Sequence, residues 1–225
     1  MIELLRTARW VFFDLGNTII DETDAVWDRV QRVSTAARGL GYKAVSPGVL
    51  YERLVRAAGE FRERPIAGAL DASGVSGEHA RQLLGACRYD SSLEKLYPSA
   101  IPILQECSKR TRVGYIANQS PGLRERLAKS GVSEYFESGA DSGSSPFYKP
   151  QPQIFEEALS NAGCGPGDAV MIGDRIDNDI APARKLGFRT IRVRQGYLSM
   201  QAPRNEIETA DVTVEGLEQL LGLLG

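Results

Sequence analysis

Residues 11–20 read VFFDLGNTII, an apolar run that ends at a single carboxylate, Asp14. The three residues before the acid are β-branched or aromatic, which is the character of a strand buried on both faces. The glycine and asparagine that follow mark an abrupt turn. We therefore predict a buried strand with Asp14 at its carboxyl end, the edge of an open parallel sheet where ligands bind.

The composition is that of an ordinary globular protein. The 225 residues are 42% hydrophobic and 25% charged, which is enough for a substantial core and one smaller unit. The formal charge is −2, and both signs are mixed along the chain, so no basic face is available to attract nucleic acid or anionic lipid. We expect neither nucleic acid nor a membrane as a partner.

Cysteine usage and apolar run length indicate the compartment. Cys87, Cys107 and Cys164 are odd in number and widely spaced, so neither a zinc site nor a disulfide framework is predicted. No apolar run approaches the roughly 20 residues that a membrane span needs. The first residues carry charges and lack a small-residue cleavage site. We expect a cytoplasmic protein.

Short apolar runs alternate with helical patterns from about Val113 onward, as in the βα units of a doubly wound parallel sheet. The predicted strands are VGYIAN, YFESGA, AVMIGD, TIRVR and VTV, with helical patterns between and after them. This alternation predicts an α/β core. Residues 142–145, which read SGSS, are expected to form a loop tip.

A different pattern fills residues 21–95. Apolar residues recur there at every third or fourth position, as at Val26 and Val30, and no strand pattern interrupts them. We predict three or four packed helices, inserted as a separate domain after the first strand. The predicted domains are a core of residues 1–20 and 96–225 and a helical domain of residues 21–95.

Polar side chains close three of the predicted strands. Asp14, Asn118 and Asp174 each end an apolar run, and Asp177 and Asp179 follow close behind the last of them. Carboxylates so close together repel one another unless a cation lies between them, and oxygen ligands suit Mg²⁺. We interpret Asp174 as a metal-site residue and Asp177 as an acid that favours the start of the following helix.

Four segments occur in the order and spacing of a known family. They are FFDLGNT, YIANQS, YKPQPQIF and GDRIDND, and they span nearly the whole chain. In these segments the chain resembles the haloacid dehalogenase-like hydrolase superfamily. The resemblance implies a Rossmann-like, doubly wound parallel sheet with an all-helical cap domain inserted after the first strand, which agrees with the periodicity described above.

The resemblance also implies a reaction, the Mg²⁺-dependent hydrolysis of small phosphate esters through an aspartyl-phosphate intermediate. Asp14 is then the nucleophile, and Lys149 neutralises charge on Asp14 and on the transferring phosphoryl group. Ala117 and Asn118, with the backbone N–H groups of the turn after their strand, are implied to bind the phosphate together with Lys149. We expect a phosphatase whose partner is a small phosphorylated metabolite.

The same resemblance implies a set of Mg²⁺ ligands. They are one oxygen of Asp14, the backbone carbonyl of Gly16 and the carboxylate of Asp174, completed by waters. Asp179 is expected next to these ligands in the metal site.

Two residues depart from the family pattern. Most phosphatases of the family carry a second aspartate at the position of Gly16, where it protonates the leaving group, and general acid catalysis of this kind is typically worth 10² to 10⁴ in rate. Ala117 stands where the family usually offers a Ser or Thr hydroxyl to the phosphate. Ser120 and Asn118 are the candidates to replace that hydroxyl.

The missing proton donor admits other functions. A catalytically impaired protein that binds phosphate or a partner is the main alternative. Dehalogenases also lack the second aspartate, but they need no Mg²⁺. The acidic GDRIDND segment, which suits a metal ion, therefore argues against a dehalogenase. Phosphonatases use a lysine of the helical domain. The only lysines there, Lys43 and Lys95, are at the edges of the inserted segment, which argues against a phosphonatase. His79, the sole histidine, is interpreted as a surface residue because no catalytic partner is identifiable.

Overall fold

The computed structural model describes residues 3–224. Met1, Ile2 and Gly225, which the predicted core ranges include, lie outside the described residues. The chain divides into two compact units, here called the core unit and the helical unit. The core unit comprises the chain as far as Asp21, Lys95–Gln195 and the chain from Pro203 onward, and the helical unit comprises Glu22–Glu94 and Gly196–Ala202.

The core unit is built on a parallel six-stranded sheet, which confirms the predicted α/β class. Its strands are β1 (Trp10–Phe13), β4 (Arg112–Ala117), β5 (Ser138–Asp141), β6 (Ala169–Gly173), β7 (Arg189–Val193) and β8 (Val212–Val214). They lie in the order β5-β4-β1-β6-β7-β8. A separate antiparallel pair, β2 (Ile20–Asp21) and β3 (Lys95–Leu96), brackets the stretch that forms most of the helical unit.

The first strand occupies the middle of the sheet because it has no polar face. All four of its residues are buried. Val11 and Phe13 belong to the hydrophobic cluster on one face of the sheet, and Trp10 and Phe12 belong to the cluster on the other. Strands β4 and β6 flank it, so the carboxyl ends of all three strands meet at one edge of the sheet.

Helices cover both faces of the sheet, as a doubly wound fold requires. Side chains of α6 (Ala100–Ser108), α7 (Leu123–Lys129) and α10 (Leu217–Leu224) join the cluster that contains Val11. Side chains of α8 (Pro152–Ala162) and α9 (Ala181–Leu186) join the opposite cluster. A short helix, α1 (Glu3–Arg6), precedes the first strand.

The helical unit has a hydrophobic core of its own. Within residues 22–94, all of which are described, the chain forms α2 (Thr23–Gly39), α3 (Pro47–Gly59), α4 (Pro65–Asp71) and α5 (Gly77–Ala86). The periodic residues of the sequence, including Val26, Val30, Leu50 and Leu54, are buried together. Ser46 caps α3 by accepting a hydrogen bond from the backbone N–H of Val49 at 3.3 Å.

Residues 196–202 belong to the helical unit, whereas the sequence pattern places them in the core. The side chain of Gln201 donates a hydrogen bond to the backbone carbonyl of Ala58 at 3.3 Å. Tyr197 packs against the hydrophobic cluster of the helical unit. Neither contact follows from a local pattern, because the partners are more than a hundred residues apart in sequence.

In residues 3–224, no helix combines the length and the hydropathy that crossing a bilayer requires.

Gly114 tests the close packing around β1. A Cβ atom at this position of β4 would lie 2.7 Å from the ring of Phe12, which is fully buried. We expect Gly114→Ala to lower the free energy of unfolding by about 1–3 kcal/mol, because the ring has no room to move. Chemical denaturation would measure the change.

Gly85 provides the matched control, because it lies inside α5 and a Cβ there meets nothing within 4 Å. Gly85→Ala is expected to raise stability by about 0.5–1 kcal/mol through helix propensity. Equal effects of the two substitutions would contradict the packing argument.

Candidate active site

Asp14 lies immediately after β1, at the edge of the sheet predicted from the sequence. Its backbone N–H donates a hydrogen bond to the carbonyl of Ile172 in β6 at 2.8 Å, which extends the strand pairing by one residue. The residue is 7% exposed. Thr18 contacts it from the following turn, with its hydroxyl 3.4 Å from Asp14 Oδ2. The carboxylate is therefore positioned by backbone pairing and is nearly closed off from solvent.

The turn after Asp14 is anchored by a residue that sequence reasoning missed. Asn17 adopts a left-handed backbone conformation with φ of 52°, which asparagine tolerates better than most residues. Gln195 donates hydrogen bonds from Nε2 to the carbonyls of Asn17 and Thr18, both at 2.9 Å. Its Oε1 accepts the backbone N–H of Leu217. Gln195 thus ties the turn to the far end of the chain.

Lys149 lies between two carboxylates. Its Nζ is 2.5 Å from Asp14 Oδ1 and 2.6 Å from Asp179 Oδ1, and the residue is 3% exposed. Burial by itself lowers the pKa of the Lys149 ammonium group, but the two carboxylates outweigh burial, and the pKa is raised. The group is therefore a permanent cation at neutral pH.

Asn118 holds the backbone of Lys149. Its Nδ2 donates to the Lys149 carbonyl at 2.9 Å, and its Oδ1 accepts the Lys149 N–H at 2.7 Å. The side chain predicted to help bind phosphate is thus used to join the end of β4 to the lysine loop. Asn118 has a positioning role in this structure, and phosphate binding at its backbone stays a prediction.

Asp174 and Asp179 come together because Gly173 leaves room for them. A Cβ on Gly173 would lie 2.5 Å from the carboxylate of Asp179. Asp179 sits in a π-helical turn, Ile176–Ile180, and is completely buried. Its Oδ2 accepts the backbone N–H of Arg175 at 2.9 Å. Because glycine has no Cβ, the strand end and the following turn can fold back on each other.

Asp177 lies in the same turn and has a different partner. Its carboxylate accepts hydrogen bonds from Arg175 Nε at 3.1 Å and Nη2 at 2.6 Å. The sequence pattern predicts Asp177 at the start of a helix, and the residue lies in the first turn of this helical segment. Its hydrogen bonds with Arg175 show that it also serves as an ion-pair partner.

The carboxylates of Asp14, Asp174 and Asp179 fit a divalent cation. One oxygen from each lies within 4.8 Å of the others, and all three residues are buried. Burial raises the pKa of Asp179 to about 6, with Lys149 opposing and Asp14 adding to the rise. Carboxylate oxygens are hard donors of the kind that Mg²⁺ prefers.

Gly16 and Ala117 are also at this edge of the sheet. Gly16 is half-buried and forms an isolated parallel bridge with Ile20. Ala117 is the last residue of β4, is fully buried, and accepts a hydrogen bond from Ser142 N–H at its carbonyl. The structure therefore brings the predicted metal and phosphate residues to one edge, while their ligand roles stay predictions.

Ser142 begins a loop that braces the turn after β4. Its Oγ accepts the backbone N–H of Gln119 at 3.0 Å and donates to the Gln119 carbonyl at 3.1 Å. Asp141 holds the loop by accepting hydrogen bonds from the backbone N–H groups of Gly143 and Ser144. The SGSS segment is thus a structural support for the turn, although its composition predicts only a loop tip.

Arg192 is a buried cation that sequence reasoning also missed. It lies in β7, is 3% exposed, and its Nε donates to the backbone carbonyl of Asp174 at 3.3 Å. Burial lowers the pKa of its guanidinium, and the charge of Asp174 opposes that shift. A charged residue within a strand is not a specific signal, so only the fold reveals this contact.

Comparisons with known proteins match this arrangement to one family. The family model for haloacid dehalogenase-like hydrolases matches residues 8–187. Among solved structures, a haloacid dehalogenase-like phosphatase from Thermococcus onnurineus superposes with a TM-score of 0.62 at 24% identity, covering 96% of this chain and 98% of that one. A hydrolase of the same family from Streptococcus pneumoniae gives a TM-score of 0.72 at 18% identity, over 97% and 99% of the two chains. At these identities the likeness establishes the fold.

Curated relatives include phosphatases. The chain is 34% identical over 188 residues to a phosphoserine phosphatase from Thermus thermophilus, covering 83% of this chain and 73% of the relative. It is 32% identical over 135 residues to a glyceraldehyde 3-phosphate phosphatase from Methanopyrus kandleri, a match that spans only 58% of this chain and 57% of the relative. The chain therefore belongs to the haloacid dehalogenase-like hydrolases, as a phosphatase-type member of that family.

Proposed function

We propose that the protein hydrolyses small phosphate monoesters with Asp14 as the nucleophile, through an aspartyl-phosphate. The observation that carries the proposal is the contact of Lys149 Nζ with both Asp14 and Asp179, at 2.5 and 2.6 Å. A permanent cation beside a buried carboxylate lowers the repulsion between that carboxylate and an incoming phosphate. The family membership supports phosphate ester hydrolysis as the reaction class.

In the proposed reaction, an Asp14 oxygen attacks phosphorus, and the bond from phosphorus to the ester oxygen breaks. Lys149 stays protonated and stabilises the negative charge that develops on the phosphoryl oxygens. Water then attacks the aspartyl-phosphate, releasing inorganic phosphate and restoring Asp14. Asn118 contributes by holding the backbone of Lys149, which fixes the position of the ammonium group.

A Mg²⁺ ion would be held by the carboxylates of Asp14 and Asp174 and the backbone carbonyl of Gly16, with Asp179 beside them. The donors fit because they are oxygen atoms and because the acids are buried together. When bound, Mg²⁺ supplies positive charge that offsets the charge of the phosphate ester.

The departing alkoxide needs a proton, and residue 16 offers no side chain to supply one. Loss of such a proton donor is typically worth 10² to 10⁴ in rate. Leaving groups of low basicity, such as phenols and acyl phosphates, depend least on this proton. We therefore expect the protein to prefer such leaving groups among small phosphorylated metabolites in a cytoplasmic setting.

Because Gly16 supplies no proton donor, a second candidate function is the binding of a phosphorylated ligand with little turnover. The two candidates differ in a direct measurement, the steady-state release of phosphate from a panel of esters with and without Mg²⁺. Sustained release supports the phosphatase. Mg²⁺-dependent phosphate binding without release supports the binding protein.

Replacement of the nucleophile tests the proposed reaction. We expect Asp14→Asn to reduce phosphate release from p-nitrophenyl phosphate by at least about 10³-fold, because an amide does not form the acyl-phosphate. The matched control is Asp168→Asn, which changes an exposed carboxylate that pairs with Arg9. Activity retained in Asp14→Asn would show that another group attacks phosphorus.

Restoring a carboxyl group at position 16 tests the proton-donor argument. We expect Gly16→Asp to raise kcat for alkyl phosphates by about 10-fold or more, with a smaller gain for p-nitrophenyl phosphate. Gly16→Asn is the control, since it has the same shape without an ionisable proton. Unchanged or lower rates with all esters would contradict the argument.

Removing the central cation tests the role of Lys149 in both stability and catalysis. Lys149→Met leaves two buried carboxylates without their shared partner, so we expect the free energy of unfolding in EDTA to fall by about 3–5 kcal/mol. The value of kcat should fall as well. Lys185→Met is the control, because Lys185 is exposed. Equal stability of the two variants by denaturant titration would contradict a central electrostatic role.

A further inference from the structure

A cavity is lined entirely by residues of the helical unit. It has a volume of about 390 Å³, which is in the range of small-molecule sites. Its apolar wall includes side chains of α2, α3, α4 and α5, among them Val26, Leu54, Ile66 and Leu84. The cavity is therefore formed where four helices of one unit meet.

The charged groups of the cavity are mainly cationic. Arg29 and Arg64 line it, and one acid, Glu22, lines it as well. Among the described residues, no carboxylate forms an ion pair with Arg29, and burial lowers the pKa of its guanidinium. Arg29 Nε donates to the backbone carbonyl of Cys87 at 3.0 Å, which fixes the orientation of the guanidinium plane. A half-buried, oriented guanidinium is a suitable partner for a planar anion.

Two phenol groups complete the polar lining. Tyr89 and Tyr197 both line the cavity and lie close enough to Arg29 to affect its pKa. The hydroxyl of Tyr89 donates to Glu94 Oε1 at 3.1 Å, and burial together with nearby carboxylates raises its pKa, so the phenol stays protonated. Aromatic walls with a few polar groups are characteristic of sites for small organic molecules.

Arg32, one turn further along α2, shows what an arginine of this helix does outside the cavity. It pairs with Asp28 at 2.7 Å and donates to the carbonyl of Arg88, the residue next to the acceptor of Arg29. Both arginines thus anchor the same segment. Only Arg29 lines the cavity, and only Arg32 has a carboxylate partner.

From this contrast we propose that the cavity of the helical unit binds the carboxylate of a small organic acid. Arg29 is the anion partner, and Arg64 adds positive charge. The apolar wall holds the carbon chain of the acid. Guanidinium and carboxylate match in geometry and form paired, charge-assisted hydrogen bonds. The site is defined by residues of the helical unit and does not depend on the reaction proposed for Asp14.

A matched pair of probes tests the proposal on the full-length protein. Hexanoate and hexanamide have the same chain and nearly the same shape, and differ in charge. By isothermal titration calorimetry, we expect hexanoate to bind at least about tenfold more tightly than hexanamide. Equal binding of the two probes, or no binding of hexanoate, would overturn the proposal.

Substitutions locate the binding. Arg29→Gln is expected to weaken hexanoate binding by about tenfold or more, while Arg32→Gln, which removes the same charge one turn away, leaves it within about twofold. Arg64→Gln, at an exposed position, should give a smaller loss without affecting folding. Binding that survives Arg29→Gln in a folded variant, or that falls equally in Arg32→Gln, would overturn the assignment.

Because the proposed site consists of residues of the helical unit alone, we expect hexanoate to bind by calorimetry while the KM for hydrolysis of p-nitrophenyl phosphate stays unchanged. A change in KM on addition of hexanoate would contradict this separation. Calorimetry with Asp14→Asn separates this site from the reaction, because binding there needs no turnover. Failure of the phosphatase assay with hexanoate binding intact would therefore count against the reaction alone.

Discussion

The ammonium group of Lys149 lies between two buried carboxylates, and the rest of the candidate active site depends on that contact. Burying three charged groups is unfavourable unless each has partners. The structure supplies these partners from separate parts of the chain: the backbone N–H of Arg175 for Asp179 and the amide of Asn118 for the lysine loop. The glycine before Asp174 gives the acids space to approach.

The parallel sheet explains why these groups are neighbours. Strands β1, β4 and β6 run in the same direction side by side, so the residues that end them meet at one edge. At that edge the carboxylates of Asp14, Asp174 and Asp179 lie together, and such a set of oxygen donors suits a hard divalent ion. In the proposed reaction the nucleophile and the charge-stabilising lysine are present, while residue 16 lacks the usual acid. The rate of the proposed reaction is therefore expected to depend on the basicity of the leaving group.

The helical unit is compact and has its own hydrophobic core. Its helices bury their periodic apolar residues against one another, and residues 196–202 belong to the same unit. The cavity in this unit combines an apolar wall with an arginine that has no acid partner among the described residues. A cavity of that kind distinguishes ligands by charge as well as by shape.

Local sequence patterns determine the central strand, the helical segment and the positions of the acids that end the strands. The apolar run before Asp14 predicts the central strand, because a segment without a polar face must be buried on both sides. The spacing of apolar residues predicts the helical stretch. Asp174, the acid that closes AVMIGD, is predicted to lie where the strand ends. These features depend on neighbours in the chain, so a single sequence reveals them.

Only the tertiary structure decided how the polar side chains are used. Asn118 bonds the Lys149 backbone, Gln195 anchors the turn after Asp14, and Ser142 supports the turn after β4. Arg192 reaches the carbonyl of Asp174. Each contact joins residues that are far apart along the chain, and hydrogen bonding imposes no period on the sequence. The identity of each partner therefore emerges only when the strands and loops are brought together in space.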